Sequence, residues 1–259
     1  MKPSPVSRHA LAIVIVTICR ESLLRAVRSI FAQTLSLPIQ VLIGVDHDPD
    51  HRASDLKALL EQERPEHIKL TWVDLGYSTS RRHGGPHPCY FGGSLRSALT
   101  FLADSEIVMY LDDDDWLAES HSEDILKAIE GKSWAFSYCT YADSNLSQGL
   151  CVDEIESVGV GKGVFQKHYN GFVRPSGLAL NKLKLSPILH LWADSPFPTG
   201  DGEDRLIFNQ LKTQPHGCTE KATVYYALDP KDGMHSLRVQ FMRQKGIEFK
   251  SEQKDGSVR

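Results

Sequence analysis

Four strand-length apolar runs, spaced by helical patterns, constrain this chain more than any other feature. Leu11–Thr17 is a continuous apolar stretch rich in β-branched residues, and Ile39–Val45 and residues 68–73 and 107–111 read as the second, third and fourth strands. Runs without polar alternation read as strands covered on both faces. Between them, Leu23, Leu24, Val27, Ile30 and Phe31 fall at helical spacing, so a helix is expected over 23–34 with Ser22 as its cap. Residues 53–63, ended by Pro65, and residues 94–103 are expected as two further helices. Such alternation implies an α/β domain: a mostly parallel central sheet with helices on both faces.

In such sheets ligands bind just beyond the carboxyl ends of the strands. The residues to examine are therefore Thr17 to Arg20, Asp46 to Asp50, Asp74 to Tyr77 and Asp112 to Asp115. The last group is the most informative. Asp112, Asp113, Asp114 and Asp115 follow one another at the exit of a buried strand and repel each other. A divalent cation is the economical neutraliser, because carboxylates are hard ligands suited to Mg²⁺ or Mn²⁺ alongside water and phosphate oxygens. On an extended chain Asp112 and Asp114 share one face. The competing reading is an acidic cap on the helix after Trp116.

A second acidic group stands in Gly200-Asp201-Gly202-Glu203-Asp204, ahead of a helix over 204–211. These carboxylates either cap the helix or present a general base at its start. Nothing local chooses among Asp201, Glu203 and Asp204. His235 stands alone; its imidazole suits Mn²⁺, but a lone histidine is more often structural. The run Asp46-His47-Asp48-Pro49-Asp50-His51 holds many ligand types, yet Pro49 breaks it and no helical His-x-x-x-His accompanies it, so a metallohydrolase is not the expected reading.

Composition removes other classes. With 41% hydrophobic and 24% charged residues the chain is neither disordered nor fibrous. A net charge of −4 disfavours a nucleic-acid binder, and Arg81, Arg82 and His83, in a Gly- and Pro-rich loop over 76–93, are too few to make one and are expected to be solvated. Five scattered cysteines without a Cys-x-x-Cys fit neither a disulfide framework nor a zinc knuckle, and suit a reducing cytoplasm. No apolar run approaches the roughly 18 residues that cross a bilayer. The slight basic excess after Arg238 leaves peripheral contact with the inner face of a membrane open.

The order of these motifs resembles family 2 glycosyltransferases of the GT-A fold, over residues 11 to 236. Ile13-Val14-Ile15-Val16-Thr17-Ile18-Cys19-Arg20 is similar to the family's opening strand, which usually ends Pro-Thr-Tyr-Asn-Arg. The helix that follows shares the Gln33-Thr34 ending. Val45-Asp46-His47-Asp48 stands where the family has Val-Asp-Asp-Gly, and Leu95-Arg96-Ser97 where it has Ala-Arg-Asn. Leu111 to Trp116 matches the Leu-Asp-x-Asp-Asp form of the DXD motif, and Gly202-Glu203-Asp204 the later Glu-Asp motif. Val16, Cys19, His47 and Ser97 depart from the pattern.

The resemblance implies a single GT-A domain over 1–237, with a nucleotide-sugar half (11–116), an acceptor half (117–237) and a hydrophilic tail (238–259). It implies Thr17, Arg20, Asp46, Arg96, Asp112 and Asp113 around the nucleotide sugar. Asp114, Asp112 and His235 would hold Mn²⁺ or Mg²⁺. Asp204 would be the base, with Glu203 beside it, and Arg174 and Trp192 would border the acceptor, although Trp192 and Trp134 read more simply as core. The reaction implied is inverting transfer from a nucleoside diphosphate sugar, by analogy a UDP-sugar, to a hydroxyl of a glycan, lipid-linked or protein acceptor, in glycan or surface polysaccharide biosynthesis. A sugar nucleotidyltransferase is the alternative, weakened by the absence of glycine in Thr17 to Ser22, and a degenerate nucleotide- or glycan-binding module is another.

Overall fold

The computed structural model describes residues 8–249. In chain order the elements are β1 (Leu11–Thr17), α1 (Ser22–Phe31), β2 (Ile39–Val45), α2 (Ala53–Glu63), β3 (Ile68–Asp74), a 3-10 turn at Arg81–His83, α3 (Gly93–Leu102), β4 (Ile107–Tyr110), β5 (Trp116–Leu117), α4 (His121–Ile129) and β6 (Trp134–Asp143). There follow β7 (Gln148–Val152), β8 (Gly159–Val160), α5 (Gln166–Tyr169), β9 (Gly171–Phe172), β10 (Leu178–Asn181), a 3-10 helix at Ser186–Ala193, α6 (Glu203–Leu211), β11 (His216–Ala227) and α7 (His235–Gln244).

The main sheet runs β3-β2-β1-β4-β10-β6-β11-β5, with β7 paired to β6. The expected mostly parallel sheet is present. β3, β2, β1 and β4 are parallel neighbours, and β6 pairs in parallel with β11. The antiparallel β10 stitches β4 to β6 and so joins the regular half to the irregular one.

Period-two alternation explains why β1 is apolar almost throughout. Leu11, Ile13 and Ile15 of β1 pack in one core with Leu23 and Val27 of α1 and Leu56 and Leu60 of α2. Ala12 and Val14 face the other way, into a core with Leu95 and Leu99 of α3 and Ile207 and Phe208 of α6. Burial of both faces removes any need for polar residues. At Gly44 the approach is close: a Cβ there would stand 2.7 Å from Leu95 and Leu99, so glycine lets α3 settle onto β2.

Some local expectations are corrected. Ser22 lies inside α1 and no side chain caps that helix, which ends at Phe31 rather than Thr34. The reason is Gln33: its amide donates to the Ala118 carbonyl (2.9 Å) and accepts from the Ser122 N–H (2.8 Å), drawing the chain toward the start of α4. The stretch from Arg238, assigned to a hydrophilic tail, is the body of α7. Phe241 and Met242 pack there with Tyr141 and Leu228. Residues 250–259 of that tail lie outside the described residues. Among the described residues no helix is long and apolar enough to cross a membrane.

Candidate functional site

A cavity of about 460 Å³ opens over the carboxyl ends of β1, β2 and β4 and extends to α6, β9 and the turn before α7. It collects most of the residues singled out from the sequence: Thr17, Arg20, Asp46, Arg96, Asp112, Asp113, Asp114, Arg174, Glu203 and Asp204 all line it.

The acidic segment is sorted by a turn, not by the expected extended chain. The Asp115 N–H donates to the Asp112 carbonyl at 3.1 Å. The turn leaves the Asp112 and Asp114 side chains 34% and 36% exposed, while Asp113 and Asp115 are each 1% exposed. Asp112 and Asp114 thus share the open side, as expected, and the other two point inward. The buried pair acts as staples. Asp113 accepts from the Thr17 hydroxyl at 2.6 Å and from the Arg20 guanidinium. Asp115 accepts from the Ala227 N–H at 2.9 Å, fixing the end of β11. Burial, then the Asp114 and Asp112 charges, push the Asp115 carboxyl well above the carboxylate range.

The open pair is held by arginines. Arg20 donates to Asp114 at 2.8 Å, and Arg96 donates to Asp112 at 2.8 Å. Burial pushes the Asp114 carboxyl up to about 6; the Arg20 charge opposes this, and Asp113 and Asp112 add to it. Ser176 accepts from the Asp112 N–H at 3.0 Å, and Arg25 donates to the Asp114 carbonyl at 2.9 Å while lying 4.0 Å over the Trp116 ring. Neither Ser176 nor Arg25 carried a signal of its own in the sequence.

Across the cavity, Gly202 with φ +90° starts α6 and places Glu203 and Asp204 in its first turn. Arg96 reaches both acidic groups, with its second nitrogen 3.6 Å from Glu203. Burial, then the Asp204 charge, push Glu203 up to about 8, and burial raises Asp204. Both carboxyls of the pair are thus pushed upward by burial, while the Arg205 charge holds Asp204 down and the Arg96 charge holds Glu203 down.

Other candidates are placed differently. Trp192 is fully buried; its indole donates to the Tyr110 hydroxyl at 3.1 Å and its ring lies 5.0 Å from the Arg96 guanidinium. That removes it from contact with an acceptor and makes it the support of Arg96. Trp134 is core. Asp46 is buried and already accepts from Ser78, and from the Thr79 N–H and hydroxyl, each at 3.2 Å, so it anchors the loop after β3. Asp48 accepts from the Arg52 and Ala53 N–H groups at 2.9 Å and caps α2. Arg82 and His83, expected to be solvated, line the cavity, and His83 stacks on His47 at 4.3 Å.

His235 is not among the lining residues. Its N–H donates to the Asp232 carbonyl at 2.9 Å to start α7, and its ring lies 6.1 Å from that of Phe249. Among the described residues no three His, Cys, Asp or Glu side chains are grouped to hold a metal, so the expected set of Asp112, Asp114 and His235 is not assembled.

The wall facing the acidic turn was invisible in the sequence apart from Arg174. Arg174 lies 3.7 Å from the Tyr226 ring and donates to Glu156 and Asp153 at 3.3 and 3.5 Å. Arg238 grips Glu156 with two bonds, at 2.6 and 2.9 Å. All of these side chains except that of Tyr226 are nine-tenths buried or more. The partners come from distant segments, which is why no local motif announces them.

No protein-family model and no curated protein sequence matches the chain. Solved structures do. TarS from S. aureus aligns with a TM-score of 0.59 at 14% identity, over 93% of this chain and 40% of that one. Its 1–349 fragment in complex with UDP-GlcNAc aligns at 0.60 and 16% identity, over 88% and 61%. The mannosyltransferase PcManGT from Pyrobaculum calidifontis, in complex with GDP-Man and Mn²⁺, aligns at 0.55 and 18% identity, over 92% and 62%. The chain thus spans less than two thirds of the length of each. The architecture is that of the GT-A fold.

Proposed function

We propose that the chain is a metal-dependent, inverting glycosyltransferase of the family 2 type, using a nucleoside diphosphate sugar, by preference a UDP-sugar. The observation that carries this reading is the single cavity in which Asp112 and Asp114, at the end of β4, face Glu203 and Asp204, at the start of α6, with Arg96 reaching both. The fold neighbours with bound UDP-GlcNAc and with GDP-Man and Mn²⁺ support it.

The donor set suits Mg²⁺ or Mn²⁺ of the kind bound by one or two carboxylates and completed by water and substrate phosphates, since two carboxylates stay about one third exposed on the cavity side and burial, with the neighbouring Asp113 and Asp112 charges, pushes one of them up. Asp114 and Asp112 would hold the ion, which supplies Lewis-acid neutralisation of the departing diphosphate. Arg20 and Arg96 keep the two carboxylates aimed at the cavity. Asp204 takes the proton of the acceptor hydroxyl as its oxygen attacks the anomeric carbon. The bond from that carbon to the diphosphate breaks on the opposite face and the electron pair leaves with the diphosphate, so configuration inverts. Glu203, protonated, adds no second negative charge beside the base. Glycan, lipid-linked and protein acceptors all offer the required hydroxyl, and surface polysaccharide synthesis is the setting this chemistry serves.

The test is thermal stabilisation by UDP, GDP, TDP and CDP with and without Mn²⁺, because a ligand that binds only the native state raises the melting temperature by mass action. One nucleotide should stabilise in a Mn²⁺-dependent way, and Asp114→Ala should abolish the effect. Absence of a shift with every nucleotide would turn the reading toward a degenerate binding module.

A further inference from the structure

Arg20, Arg82, Arg96, Arg174, Arg205 and Arg238 line the cavity. Arg20 is paired with Asp113 and Asp114, Arg96 with Asp112 and Glu203, Arg174 with Asp153 and Glu156, and Arg238 with Glu156 and Asp232. Among the described residues Arg82 and Arg205 make no ion pair. Arg82 is exposed at the nucleotide end. Arg205 is half-buried and follows the proposed base directly in sequence.

The carboxylate closest in sequence makes no hydrogen bond to its guanidinium and feels it only as a charge, which opposes the rise of the Asp204 carboxyl. Asp204 accepts from the Arg205 backbone N–H at 2.7 Å, while the side chain turns away toward the Tyr169 hydroxyl at 3.3 Å. The guanidinium carbon lies 5.2, 5.4 and 5.8 Å from the rings of Tyr169, Phe197 and Phe165. Ring faces stabilise a cation but offer no lone pairs to its N–H groups. Guanidinium carries five donors in a planar fork, and only one is used here. Phe165 packs on Phe172 at 5.4 Å, and both line the same wall, so the unused donors border an apolar face wide enough to meet a sugar or polyol.

We propose that Arg205 is an acceptor-side subsite for an oxyanion, a phosphate or carboxylate carried by the acceptor near the hydroxyl that Asp204 deprotonates. This rests on the glycosyl-transfer reading for the word acceptor, and on the arrangement around Arg205 for the anion. The donor's phosphates belong with Asp112 and Asp114 at the end of β4. Arg205 stands on α6, beside the base and against the wall built by the irregular half, where a second substrate has to enter. A planar fork with its donors free is the group that captures two oxygens of one anion.

The test is calorimetric titration of the full chain, with and without saturating UDP and Mn²⁺. The probes are sn-glycerol 3-phosphate against glycerol and glucuronate against glucose. At least one anionic probe should bind about tenfold or more tightly than its uncharged counterpart, as charge-assisted pairing predicts. The phosphate and carboxylate arms identify which anion is meant. Arg205→Gln should remove the preference, and Arg64→Gln, whose guanidinium is outside the cavity, should leave it intact. Equal binding of charged and uncharged probes, or a preference that survives Arg205→Gln, overturns the proposal. If the glutamine variant does not fold, Arg205→Lys decides: loss of the fork should weaken the anionic probe severalfold, and unchanged binding refutes the site. UDP binding without anion preference sinks the subsite alone; anion preference without UDP binding sinks the glycosyltransferase reading alone.

Discussion

Arg96 is the residue whose removal tests the electrostatic reading of the site most sharply, because one of its partners, Glu203, has a carboxyl that burial pushes up to about 8. Arg96→Met keeps the apolar stem and deletes the charge. Near pH 6 Glu203 is protonated, its carboxyl standing at about 8, so Arg96 faces a neutral group there and its remaining bond is the one to Asp112 at 2.8 Å. What is lost is the charge-assisted bond to Asp112, about 1.5–3 kcal/mol, offset in part because a buried cation is no longer desolvated. We expect a net loss of about 2 kcal/mol at that pH. Above pH 8 the balance changes. A carboxyl whose folded-state pKa is raised contributes stability that is complete below the ordinary carboxyl pKa and lost as pH rises through the folded value. In the wild type Arg96 limits that loss by facing the newly formed Glu203 anion, whose side chain is 6% exposed; the methionine variant has nothing to offer it. A double-mutant cycle with Glu203→Gln, read by urea unfolding, should therefore give coupling within about 0.5 kcal/mol of zero near pH 6 and about 1–2 kcal/mol near pH 9. Coupling of about 1–2 kcal/mol at both pH values would mean that Glu203 is ionised throughout, coupling near zero at both that Arg96 does not face its anion, and either result would refute the electrostatic reading of this pair.

Asp204→Asn should abolish sugar transfer while leaving nucleotide affinity within about threefold by calorimetry, since it removes the base and nothing that faces the donor. Asp113→Ala should cost about 1–3 kcal/mol in urea unfolding, because it strands the buried Thr17 hydroxyl and frees Arg20, and nucleotide affinity should fall with it. Gly93→Ala should destabilise by about 1–3 kcal/mol or more, because the added Cβ would stand 1.8 Å from the Trp192 carbonyl oxygen and must push the support of Arg96 aside. Glu156→Gln should lower stability by about 3–5 kcal/mol, since it leaves Arg174 and Arg238 sharing too few acceptors in a closed site.

The legible parts of this protein were those fixed by local pattern. β1 begins and ends where its apolar run does, because a strand covered on both faces is apolar up to its exit, and β2 follows the same pattern with Gln40 as its one polar residue. The acidic turn and the Glu-Asp pair were legible because both sit where a strand ends or a helix starts. The far wall was not. Glu156 is one of three acids in Asp153-Glu154-Ile155-Glu156, and its meaning depends on Arg174 and Arg238, 18 and 82 residues away. The end of the chain reads as either a frayed helix or a tail because its apolar residues are few; Phe241 and Met242 of α7 are buried because Tyr141 of β6 and Leu228, just after β11, meet them. His235 and Trp192 were misplaced for one reason: sequence distance to a motif says nothing of which way a ring turns. Trp192, eleven positions before Glu203, points into the core and touches the site only through Arg96.

Two ion networks of the same design bound the cavity, and their difference separates the two substrates. In the first, Arg20 and Arg96 hold carboxylates that stay about one third exposed, so the acids remain able to meet a cation and phosphates. In the second, Arg174 and Arg238 are closed onto Glu156 and Asp153, whose side chains are 3% exposed or less. A network that buried brings little net stability over an apolar core, but it fixes which groups may neighbour which. Here it locks α7 and the segment after β7 against β11, through Tyr226, without spending a donor on the cavity. The rigid wall that results has Phe172 and Phe165 on its surface and one guanidinium, that of Arg205, left unpaired beside the base. One side of the cavity thus offers acids open to a cation, and the other offers a cation open to an acid; under the proposed reaction a donor with its metal and an anionic acceptor would satisfy the two separately.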